Sequence, residues 1–121
     1  MSRLACAAAG LLMATALSIQ PAAAQRSGTY AVEGRGVDGT VYEGSATLTA
    51  TGPQTWRMTW RVGGTTSTGV ALTVGKLLVI GYISGRETGV AAYEVMEDGR
   101  LVGRWTQGRE GGVGTEILSP R

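Results

Sequence analysis

From Thr55 to Val62 the chain alternates without a break. Trp56, Met58, Trp60 and Val62 fall on one side, and Thr55, Arg57, Thr59 and Arg61 on the other. A β-strand turns successive side chains to opposite faces, so this stretch reads as a half-buried antiparallel strand. On a helix the same residues would scatter both the indoles and the guanidinium groups around the circumference.

The rest of the chain is read from that strand. Runs rich in Val, Thr, Tyr and Ile recur between short turn sequences, which predicts an all-β domain. Eight strands are expected: Gly28–Gly34, Thr40–Thr51, Thr55–Val62, Thr65–Thr73, Lys76–Ile83, Thr88–Met96, Arg100–Gln107 and Gly112–Leu118. In the second, Tyr42, Gly44, Ala46, Leu48 and Ala50 share a face. Parity fixes the sixth and seventh. A three-residue loop, Glu97-Asp98-Gly99, with Gly99 in the left-handed conformation pairs Val95 with Leu101 and Tyr93 with Gly103. Tyr93, Val95, Leu101, Gly103 and Trp105 then point inward, and Glu94, Val102 and Arg104 outward. A similar count around the last loop, Gly108–Gly111, sets Arg104 opposite Glu116 as a surface ion pair and leaves Trp105 and Ile117 inside.

Every connection is short, so consecutive strands pair antiparallel. The expected architecture is a single small eight-stranded antiparallel up-and-down β-barrel, with a flattened β-sandwich of the same strands as the alternative. A transmembrane barrel needs strands of about 9–11 residues and two aromatic girdles. Most of these strands are shorter and the chain has no Phe.

The segment before the first strand has a different character. Arg3 is followed by an uncharged run of small and apolar residues, Leu4 to Ile19, and Ala22-Ala23-Ala24 precedes Gln25. This is the pattern of a cleavable signal peptide over residues 1–24, leaving a barrel domain over 25–121 in the periplasm or outside the cell. The only cysteine, Cys6, falls in that leader, so no disulfide is available to the domain. The chain has no His and a net charge of +2, part of it from Arg3. The near balance speaks against nucleic acid or an anionic membrane as the main partner. Nor does the mature part contain a run able to span a membrane.

With no His or Cys in the mature part, there is no triad or dyad of the usual hydrolases, and no ordinary zinc or copper site. The run Gly34-Arg35-Gly36-Val37-Asp38-Gly39 has dinucleotide-fingerprint spacing but sits in a hairpin, not before a helix. Glu33, Asp38 and Glu43 flank the same loop and read as solvated carboxylates. No catalytic residue, metal site or cofactor is expected. Two kinds of binding residue are. Trp56, Trp60, Trp105, Tyr42 and Tyr93 either fill the barrel against Gly44, Ala46, Gly69 and Gly103 or line a pocket for an apolar small molecule. Arg57 and Arg61, with Arg86 and Arg109 in turns, are the candidates for meeting a protein partner.

Several stretches also resemble a known group. They are Gly28-Thr29-Tyr30-Ala31-Val32-Glu33-Gly34, Asp38-Gly39-Thr40-Val41-Tyr42-Glu43-Gly44, Ala92-Tyr93-Glu94-Val95, Asp98-Gly99-Arg100-Leu101-Val102-Gly103-Arg104-Trp105 and Gly112-Val113-Gly114-Thr115-Glu116. Together they resemble small secreted α-proteobacterial proteins commonly labelled "fibronectin-binding protein". The resemblance implies a non-enzymatic surface or periplasmic module that attaches to a host or matrix protein. It maps no binding motif onto particular residues. A more distant similarity, to avidin-like and lipocalin-like barrels, implies a small hydrophobic ligand instead.

Overall fold

The computed structural model describes residues 26–121, so the leader expected over 1–24 lies outside the described residues. The alternating segments form β1 (Gly28–Arg35), β2 (Val41–Ala50), β3 (Thr55–Val62), β4 (Thr65–Val74), β5 (Leu77–Ser84), β6 (Glu87–Val95), β7 (Leu101–Gln107) and β8 (Gly114–Pro120). Strand ends differ from the sequence expectation by at most two residues, and β3 matches at both ends. Each strand pairs antiparallel with the next, and β8 returns to β1, where Val32 faces Leu118. The sheet therefore closes as an up-and-down barrel, not a flattened sandwich, and leaves no unpaired edge.

Val95 pairs with Leu101 and Tyr93 with Gly103, the register that the three-residue loop requires. Gly99 has φ +90°, and its N–H donates to the carbonyl of Met96 at 3.0 Å. Asp98 Oδ1 accepts from the backbone N–H of Arg100 at 3.0 Å. The β1–β2 loop repeats the device with Asp38, Gly39 and Thr40. Such side-chain acceptance is why Asp-Gly sequences specify these turns.

One expectation is overturned. Arg104 faces Thr115, and Glu116 faces Gly103. The register differs by one residue from the sequence reading, and one residue exchanges the faces of a strand. Ile117 is on the outer wall, Glu116 is inside with 6% exposure, and no Arg104–Glu116 ion pair forms. The physical reason lies in the loop and in Trp105. The connection extends to Val113, with Gly108, Gly111 and Gly112 at positive φ. This sets Gly114 across from Trp105, where a Cβ would collide with the indole.

The two ends of the barrel differ. At the end that carries the β2–β3, β4–β5 and β6–β7 turns, Tyr30, Val32, Leu48, Met58, Leu78, Ile80, Leu101 and Leu118 are buried and fill the interior. Trp56 belongs to this end, and its Nε1 donates to Thr73 Oγ1 at 3.0 Å. The opposite end is framed by the β1–β2, β3–β4, β5–β6 and β7–β8 turns, and it is not filled. The outer wall also divides. β1 to β3 present Thr29, Glu33, Glu43, Thr47, Arg57 and Arg61, all exposed. β4 to β6 present Val70, Leu72, Val79, Ile83 and Val90, with Val70 68% exposed.

Candidate ligand-binding site

Large rings reach the interior at the unfilled end because each has a small residue directly across from it. Tyr42 lies opposite Gly34, Tyr82 opposite Gly89, Tyr93 opposite Gly103 and Trp105 opposite Gly114. A Cβ at any of these four glycines would meet its partner's ring. Trp60 is flanked by Ala46 and Ser67. The glycines scattered through the chain are thus the floor on which the aromatic side chains lie.

The rings converge on one carboxylate. Glu116 Oε2 accepts from the Tyr42 hydroxyl at 2.6 Å. Its Oε1 accepts from the Tyr93 hydroxyl at 2.5 Å and from Trp60 Nε1 at 3.1 Å. Tyr42 in turn accepts from Trp105 Nε1 at 2.9 Å, which commits its own proton to Glu116. Nearby, the Tyr82 hydroxyl donates to Gln107 Oε1 at 3.0 Å. No buried side-chain polar atom among the described residues lacks a partner. A buried carboxylate held by three neutral donors satisfies the rule that buried polar groups must be hydrogen-bonded.

Burial and this carboxylate act on the phenols. Loss of solvent, then the bond to Glu116, pushes the Tyr42 hydroxyl well above its ordinary value of 10.0. Burial raises Tyr93 strongly, and the Glu116 charge adds to it. Tyr82 is pushed up to about 12 by burial, then by the charges of Glu116 and Glu87. A phenol whose folded-state value lies above its unfolded value binds its proton more tightly in the fold. Its contribution to stability is complete below the unfolded value and is lost as pH rises through the folded one. The barrel is therefore expected to lose stability from about pH 10 upward, with Tyr82 ionising near pH 12. Tyrosinate absorbance followed together with circular dichroism checks this. Phenols that all titrate near pH 10 while the sheet stays intact would contradict it.

Above the network lies a cavity of about 270 Å³ that opens to solvent at the unfilled end. Its walls include Tyr42, Trp60, Tyr82, Tyr93, Trp105 and Glu116. Trp60 and Tyr82 meet at 57° with centroids 5.3 Å apart, forming an aromatic corner. Val62, Thr65, Ser84 and Gln107 lie toward the mouth.

Of the five aromatic candidates, the structure brings Trp60, Trp105, Tyr42 and Tyr93 together around this cavity. Trp56 is not among its lining residues. Its place near the β2–β3 turn puts it at the filled end, while alternation alone gave it the same face as Trp60. Two central residues lie outside those five. Tyr82 carried a readable signal, since it continues the inward series Leu78, Ile80, Tyr82. Glu116 carried none, because a one-residue error in register turned it outward.

The arginine candidates lie on three different elements. Arg57 and Arg61 are on the outer wall of β3, Arg86 is in the β5–β6 turn and Arg109 is in the β7–β8 loop, all exposed. Glu33 and Glu43 face each other on the outer wall, and Asp38 accepts from Thr40 N. That bond from the Thr40 backbone holds the exposed Asp38 carboxyl below the usual carboxylate value. Among the described residues no cluster of His, Cys, Asp and Glu could hold a metal ion.

No protein-family model matches this sequence, and no curated protein matches it. Solved structures do. The chain is similar to a redesigned beta barrel, b11L5F_LGL, with 15% identity, a TM-score of 0.73 and coverage of 85% of this chain and 97% of that one. It is also similar to the redesigned barrel mFAP1 bound to DFHBI, with 17% identity, a TM-score of 0.72 and coverage of 83% and 99%. A third is a de novo designed fluorescence-activating beta barrel, with 15% identity, a TM-score of 0.67 and coverage of 85% and 100%. At these identities the likeness is one of fold: a small closed barrel of antiparallel strands.

Proposed function

We propose that this protein is a non-enzymatic barrel that binds a small aromatic or apolar molecule at its unfilled end. The observation that carries the reading is the open cavity of about 270 Å³ walled by five aromatic rings. Concave, mostly apolar sites with a few convergent polar groups are where small ligands bind, and such sites usually start near about 300 Å³. The similar barrel mFAP1, which is bound to DFHBI, supports a fold of this size holding a small molecule. The single ionisable acid in the wall, Glu116, is already engaged by three donors, which suits holding a ligand better than moving its protons. The leader read in the sequence puts this binding outside the cytoplasm.

Trp60 and Trp105 line the cavity and Trp56 does not, so intrinsic fluorescence reports occupancy. A panel of one- and two-ring compounds is expected to contain ligands that shift the emission and raise the melting temperature. Stabilisation should reach about 2.7 kcal/mol at a hundred times Kd. A Trp105→Leu variant should weaken binding, and Trp56→Leu should leave it unchanged. A panel with no effect on either emission or melting would remove the reading.

A second reading is attachment to a protein partner, as the sequence resemblance implies. The observation that favours it is the exposed apolar outer face of β4 to β6, including Val70, Leu72, Val79, Ile83 and Val90. Contiguous apolar surface of this kind marks contact sites. Immobilised fibronectin is the direct probe. Retention that survives alanine at Arg57, Arg61, Arg86 and Arg109 but falls with Val70→Ser and Ile83→Ser would assign the contact to this face.

A further inference from the structure

The cavity has a sign. Among its lining residues Glu116 is the only acid, and there is no Lys or Arg. The ion pair found among the described residues, Arg100 with Asp98, lies on the surface at the other end of the barrel. Glu116 thus sits 6% exposed and, among the described residues, in no ion pair. What holds it is three neutral donors, each spending its proton on a carboxylate oxygen. A buried charge satisfied by hydrogen bonds but not neutralised leaves a field in the space next to it.

The donors that an anion or a neutral acceptor would need are largely spent. Tyr42, Tyr93 and Trp60 point their hydrogens at Glu116. Trp105 gives its hydrogen to Tyr42, Tyr82 to Gln107, and Ser67 to Ser84 at 2.8 Å. The donors left, on Thr65, Ser84 and Gln107, lie toward the mouth, and the middle of the cavity holds the faces of five aromatic rings and the Glu116 carboxylate. Ring faces carry negative quadrupole density, so both features favour a cation. An inorganic cation would need a shell of oxygen ligands, and the wall is mostly carbon.

We infer that the ligand is a small organic monocation, an amine or amidine with an apolar or aromatic body. Its charged nitrogen lies toward Glu116, and its body lies against Trp60, Tyr82 and Trp105. The inference rests on the reading of the cavity as a ligand site and adds the charge of the ligand.

The test is a series of one shape and three charges: benzamidine, benzamide and benzoate at neutral pH. Each is titrated into the wild-type protein by tryptophan fluorescence and calorimetry. Benzamidine is expected to bind at least about tenfold more tightly than benzamide, with benzoate weaker than both. In Glu116→Gln the preference for benzamidine over benzamide should collapse to within about threefold. If that variant does not fold, the wild-type series decides alone. Benzamide binding as well as benzamidine, or benzoate binding best, overturns the inference and leaves the cavity reading standing. Failure of all three to bind also overturns it, and the neutral compounds of the wider panel then decide the cavity reading separately.

Discussion

Replacing Glu116 with leucine is expected to destabilise the barrel by about 3–5 kcal/mol, the largest effect of any single polar side chain here. Leucine fits the volume but accepts nothing. The hydroxyls of Tyr42 and Tyr93 and the indole N–H of Trp60 would each lose their acceptor. An orphaned buried donor costs about 1–3 kcal/mol, and relief of the buried charge offsets part of the sum. Urea unfolding of wild type and variant measures the difference. For a domain of this size each kcal/mol moves the melting temperature by about 4–8 °C. A double variant, Glu116→Leu with Tyr93→Phe, should recover part of the loss because one orphan is removed together with its partner. If Glu116→Leu costs under about 1 kcal/mol, these donors find water in the open mouth and the network is not what orders the rings.

Gly103→Val is expected to cost about 3 kcal/mol, at the upper end of the usual range for overpacking. The position faces the interior beside Tyr93. A Cβ there would run into the carbonyl oxygen of Ala92 and come within 2.8 Å of Tyr93 Cα. Both obstacles are backbone of the neighbouring strand, so no rotamer change relieves them. Gly81 is the control. It also lies in a strand, but it faces outward between Val70 and Val90, with nothing within 4 Å of an added Cβ. Gly81→Val is expected to be neutral or to stabilise, by up to about 1 kcal/mol, through β-propensity alone. Equal losses at the two positions would mean that glycine is needed for backbone conformation and not for close approach.

Much of the fold was readable because alternation has a period of two and is local. Trp56, Met58, Trp60 and Val62 sit on the interior face as their spacing demands, and Asp98-Gly99 fixes the β6–β7 register through a turn with few geometries. Short connections left antiparallel neighbours as the main choice, and eight such strands can close. The site was less legible. Alternation names a face but not a height along the barrel, so Trp56 and Trp60 looked equivalent although one end is filled and the other open. Polarity was a poor guide at Glu116. The rule that apolar residues point in and Glu points out held for Glu94 and Val95 and failed for Glu116 and Ile117.

The strands, most turns and the closed meander were determined by the sequence alone, since they follow from neighbours and from local chain geometry. Only the tertiary structure decided that Glu116 lies inside. Its burial is tolerable because Tyr42, Trp60 and Tyr93 arrive from β2, β3 and β6 with donors at hydrogen-bond distance. Trp60 and Tyr42 are 56 and 74 residues away along the chain, and no local pattern records such a meeting. The cavity has the same origin: it is the space left where rings rest on glycines contributed by the strands beside them.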